Sequence, residues 1–193
     1  MKPGGYLKHL AYFLVVGLLA TFTMDIAALI IVKSGAVRLG AYRIIPELLG
    51  RWVGSFASGR VVHSTILETL PLSHEKALGL LAHYLIGLTL TSLLLFPHVR
   101  IWRRQITLRT AVFFGLATCV FPWFLMFPAM GFGVMASRLP HPSSLMLFST
   151  LNHAAFGVGI FFWSNQIPIS GSRRPEHCEE SFGAVTRPEV TTS

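Results

Sequence analysis

Residues 10–32 read LAYFLVVGLLATFTMDIAALIIV. At about 1.5 Å rise per residue, a helix of this length spans a hydrocarbon core of roughly 30 Å. Its one charged residue is Asp25. A lone acid in such a helix costs ~2.5–3.5 kcal/mol on insertion scales, which turns it toward other helices, water or a partner and away from lipid. The stretch therefore implies both a membrane-spanning chain and a polar group that the fold has to shelter.

Composition points the same way. Only 12% of the 193 residues are charged and 52% are hydrophobic, outside the habit of soluble domains. The formal net charge of +8 comes from Lys and Arg that flank apolar runs and form no single basic stripe. It reads as membrane orientation, and no nucleic-acid partner is expected. The expected partner is the lipid bilayer, with a homo-oligomer left open. Cys119 lies in an apolar run and Cys178 in a polar one, an arrangement unsuited to a disulfide framework. Lys2 and Lys8 precede the first apolar run as in a secretory signal, but the run is too long and no Ala-x-Ala site follows, so a retained anchor is expected.

Three further apolar runs, 78–96, 111–130 and 145–163, are each long enough to cross a bilayer. The expected fold is an all-α integral membrane protein: a four-helix transmembrane bundle with a short interfacial helix in the first loop. The spanning domain would cover 1–165 and leave 166–193 as a disordered polar tail, too poor in apolar residues to fold alone. The interfacial helix is read from IIPELLGRWVGSF (44–56), opened by Pro46, with Trp52 suited to headgroup depth. The short second loop carries Arg100, Arg103, Arg104 and Arg109, whereas the third carries only Arg138. That density puts both termini in the cytoplasm. Arg38, Arg43, Arg51 and Arg60 in the long first loop pull the other way.

Spacing within each span is more informative. Gly17, Thr21 and Asp25 recur every four residues, as do Gly79, His83 and Gly87, and Ser149, His153 and Gly157. Residues four apart share a helix face, and small residues there let backbones approach. Each of these spans thus carries its ionisable group on its packing face. Asp25 stands about seven residues from the end of its helix, His83 about six and His153 about eight from the start of theirs. Because successive spans are antiparallel, all three fall ~8–13 Å below the same surface. One intramembrane polar layer of Asp25, His83 and His153 is expected, with His63, Glu68, His74, Glu75 and His141 at its mouth. Glu75 precedes His83 by about two helical turns and could lie above it.

Each feature has a plainer reading. Asp25 could serve only as polar glue between helices, worth ~0.6 kcal/mol, and a neutral imidazole can be a satisfied structural residue. His83 and His153 are the candidates for a metal or haem site, since bundle cofactors use paired imidazoles on facing helices. No zinc-protease spacing and no Cys-x-x-Cys-His occurs, so no signature assigns a cofactor. Cys119 is most simply a packing residue. Pro122 and Pro128 should kink the third span and shape its exit. Arg138 and His141 read as solvated loop charges.

Five blocks, GLLATFTMDIAAL (17–29), GRWVGSFASGRVVHSTI (50–66), EKALGLLAHYLIGL (75–88), GLATCVFPWFLMFPAMGFGVMASRLPHP (115–142) and LNHAAFGVGIF (151–161), together resemble the uncharacterised bacterial inner-membrane family catalogued as domain of unknown function 2938. The resemblance implies a four-helix protein of the bacterial inner membrane and brings no activity with it. Asp25, His63, Glu75, His83 and His153 all fall inside the matching blocks. Phe127 stands where the family pattern carries Gln, which removes a polar group from the end of the third span.

Three functions stay open on sequence grounds. A small bundle could bind or pass a proton, metal ion or small solute at the polar layer. A non-enzymatic scaffold or assembly partner could use that layer only to lock its helices. A membrane enzyme on a lipid or quinone could use His83 or His153 as base, with Glu75 or Asp25 orienting it.

Overall fold

A helix that starts on a proline and stops on a glycine opens the chain: α1 runs Pro3–Ser34 and ends at Gly35, whose φ of 71° is the left-handed stop that glycine adopts freely. The computed structural model describes residues 3–37, 45–99 and 105–167. Of the expected polar tail 166–193, Gln166 still belongs to the last helix, and residues 168–193 lie outside the described residues, as do Arg38, Arg43, Arg100, Arg103 and Arg104. The expected interfacial helix is α2, Ile45–Ser55, with Glu47 in its positive first turn. Next come α3, Glu75–Pro97, α4, Leu108–Ala129, and α5, Pro142–Gln166, which also opens on a proline.

Four helices among the described residues are long and apolar enough to cross a membrane: Leu7–Ser34 of α1, and α3, α4 and α5. They extend a few residues beyond the hydropathy runs because helices continue past the apolar core into the headgroup region. Only 22–39% of each span's apolar window is buried within the protein, which leaves most of the surface for lipid tails.

α4 is not a regular helix. Thr107 caps it, accepting the Thr110 N–H at 3.2 Å, and it stays α-helical through Ala117. Pro122 then opens a π-turn over Pro122–Met126, because a proline has no N–H to continue the ladder. The exit bends through Gly131 and Gly133 with φ of 88° and 78°, then through Met135 and Ala136, also at positive φ.

α1 packs on α3 and on α5, α5 packs on α4, and α2 lies across α3. Small residues set these approaches. A Cβ on Gly17 would meet the Leu88 backbone at 3.1 Å, one on Gly87 would meet Thr21, and one on Gly157 would meet the backbone of Ala111 in α4. Gly79, expected on a seam between spans, does a different job. It faces the Pro46 carbonyl, and Gly50 faces that of Glu75, so its partner is the surface helix α2. A seam of residues that carry a Cβ could not bring those backbones together so closely.

Two apolar clusters result. One lies on the α2 side, with Leu48 and Leu49 of α2, Phe127 of α4, and Leu145 and Phe148 of α5, packed by Ile31 of α1 and Ala82 of α3. The other holds Val16 and Ala20 of α1, Leu94 and Leu95 of α3, Ala111 of α4, and Phe156 and Ile160 of α5. In every span the chain passes from one cluster to the other, and Asp25, His83 and His153 fall in the stretches between them.

Candidate functional site

Between the clusters, α1 and α3 meet through side-chain hydrogen bonds. His83 Nε2 lies 3.0 Å from Asp25 Oδ1, and the Tyr84 hydroxyl donates to Asp25 Oδ2 at 2.8 Å. Both carboxylate oxygens are therefore engaged by adjacent residues of one helix. One turn earlier in α1, the Thr21 hydroxyl donates to the Gly17 carbonyl at 2.8 Å, and its oxygen is the atom that a Cβ on Gly87 would meet first. The Asp25 and His83 side chains nevertheless remain 37% and 27% exposed, so the pair is held without being sealed.

α4 and α5 supply the second half. Thr118 Oγ1 is 2.7 Å from His153 Nδ1 and donates to the Gly115 carbonyl at 2.6 Å. The Trp123 indole donates to Ser149 Oγ at 3.2 Å, and Cys119 is buried. The ionisable residues of three spans thus sit between the same two apolar clusters, with Thr118 adding a polar group from the fourth.

The residues expected at the mouth differ in burial and in partners. Glu68, His74 and His141 are exposed, the last two as the residues preceding α3 and α5. His63 is buried, its Nε2 2.9 Å from Ser55 Oγ and its N–H bound to the Ala129 carbonyl. Glu75 is drawn to Arg51, which donates from Nε to Oε2 at 2.8 Å and from Nη2 to Oε1 at 2.9 Å. Its place above His83 yields to that bond, because a two-pronged guanidinium outcompetes an imidazole two turns away.

Arg51 was not legible as a site residue. It is 7% exposed and also donates from Nη1 to the carbonyls of Ile66 and Thr69, at 3.3 and 3.0 Å. The Glu75 hydrogen bond raises its pKa above the ordinary arginine value. A cation on the apolar side of a predicted amphipathic helix was the available signal. Tyr84, Thr118 and Trp123 were also missed, because polar groups on aromatic or threonine side chains inside apolar runs read as packing.

Among the described residues no three of His, Cys, Asp and Glu are grouped to hold a metal ion. The arrangement offers proton-exchanging groups and hydrogen-bond acceptors in a low-dielectric layer.

The family model described as "Protein of unknown function (DUF2938)" matches residues 14–167. No curated protein and no solved structure matches the chain. The chain belongs to the DUF2938 family.

Proposed function

We propose that this family member is a small membrane bundle that binds or passes a proton or small solute at a polar stratum of Asp25, His83 and His153. The observation that carries the reading is the carboxylate of Asp25, which accepts bonds from His83 and Tyr84 yet stays more than a third exposed. Ionisable residues inside spans commonly mark proton or solute pathways. Among the described residues, Asp25 and the two imidazoles form no group of three that could hold a metal ion, which favours a proton or a solute. The small size of the bundle makes a homo-oligomer part of the proposal. So are the bacterial inner membrane and cytoplasmic termini.

The experiment is proton and solute flux in proteoliposomes holding the full chain or its Asp25→Asn variant. Loss of flux in a folded Asp25→Asn protein supports the reading, and unchanged flux ends it. A second reading, a scaffold in which the stratum only locks α1 to α3, draws on the same two bonds. It requires that a folded Asp25→Asn protein rescue a deletion strain fully.

A further inference from the structure

The hydrogen bonds of the stratum fix which imidazole nitrogens carry protons. A threonine hydroxyl has one proton, and a carbonyl can only accept. The Thr118 proton goes to the Gly115 carbonyl at 2.6 Å, so across the 2.7 Å contact His153 Nδ1 is the donor and Thr118 Oγ1 the acceptor. A neutral imidazole has a single N–H, which leaves the lone pair of His153 on Nε2. At His83 the assignment inverts. The charged form of Asp25 only accepts, so His83 Nε2 donates across 3.0 Å and the lone pair sits on Nδ1.

Among the described residues, neither His83 Nδ1 nor His153 Nε2 has a hydrogen-bond partner. A third acceptor immediately precedes His153 in sequence. Asn152 is 3% exposed and its Oδ1 is unpartnered. An unpartnered buried acceptor is costly, because its desolvation is not offset by a hydrogen bond. The stratum therefore presents lone pairs without donors on both imidazoles, beside the carboxylate of Asp25. The other titratable groups around it are Tyr84 of α3, which donates to Asp25, and the buried Cys119 of α4.

We propose that Thr118 is a positioning residue that holds His153 in its Nδ1–H form, and that the ligand of the stratum is a monovalent hydrogen-bond-donating cation, either an excess proton or a small protonated amine. This rests on the stratum being a binding site and names the class of ligand it takes. A cation supplies what Asp25 and the two lone pairs lack, whereas an anion or a pure acceptor would meet only repulsion there.

The test is solid-state NMR of the full chain, labelled with ¹⁵N-histidine and reconstituted in phosphatidylcholine vesicles at alkaline pH, with histidine signals assigned by single substitutions. His83 should appear protonated on Nε2 and His153 on Nδ1. Thr118→Val should lose the Nδ1–H signal of His153, while Thr118→Ser, which keeps the hydroxyl, should retain it. His153 protonated on Nε2 in the native protein, or unaffected by Thr118→Val, overturns the positioning role. Two additions then address the ligand. Acidification that shifts both imidazoles, with the shift weakened in Asp25→Asn, identifies the proton. Methylammonium chloride that shifts them at constant alkaline pH identifies the amine. No response to either, or an acid response indifferent to Asp25→Asn, overturns the cation. The tautomers are read without any flux, so this inference and the proposed function can fail separately.

Discussion

Asp25 and His83 stand 58 residues apart in sequence and 3.0 Å apart in space, and the contact joins two spans at the level where both leave one apolar cluster and enter the other. Thr21 and Gly87, about one turn away, make the approach possible. A small residue and an ionisable one on the same face are parts of one device: the first brings the backbones together and the second uses the proximity.

Gly79→Ala should lower the melting temperature of the detergent-solubilised protein. A methyl there would run into the Pro46 carbonyl, a backbone atom that cannot rotate away, and overpacking of this kind costs about 1–3 kcal/mol. A melting temperature equal to the native one would show that α2 is not seated on α3.

Arg51→Ala and Glu75→Ala should each destabilise strongly, since removing one partner of a buried pair costs about 3–5 kcal/mol. The double variant should be less unstable than the sum of the two. The side chains are only 8% and 12% exposed, so solvent does little to screen the charge left behind. Thermal melts across the double-mutant cycle measure the coupling, and strict additivity would contradict it.

Thr91→Val should leave stability unchanged or raise it by about 1 kcal/mol. Thr91 is fully buried in α3 and its hydroxyl oxygen has no partner, so the substitution removes an unsatisfied polar atom at nearly constant volume. A lower melting temperature would show that this hydroxyl makes a bond of its own.

Tyr84→Phe should destabilise by about 1–2 kcal/mol, the range of a hydrogen bond to a charged group that is partly open to its surroundings. It removes the donor to Asp25 Oδ2 and leaves His83 on Oδ1. If chemical denaturation in mixed micelles shows no change, Tyr84 does not hold the carboxylate.

Helical periodicity made much of this readable. A rise of about 1.5 Å per residue and a repeat of about 3.6 fix where Asp25, His83 and His153 sit along their helices and which small residues share their faces. The same rules gave α2 between Pro46 and Ser55. What they do not encode is the partner of a side chain that reaches across the fold. Arg51 finds Glu75 because the backbones at Gly50 and Gly79 touch, a fact of tertiary packing. Thr118 finds His153 because α4 and α5 meet at Gly115 and Gly157. The π-turn at Pro122 was legible as a kink, but its hydrogen-bond pattern depends on how α4 settles against its neighbours.

Difference infrared spectroscopy of the full chain in lipid bilayers, stepped in pH and compared with Asp25→Asn, measures protonation at the carboxylate itself. A reversible carboxyl band that is lost in Asp25→Asn and displaced in His83→Gln is the predicted result. A spectrum in which no band depends on Asp25 at any pH where the protein stays folded would contradict the exchange of protons at the stratum.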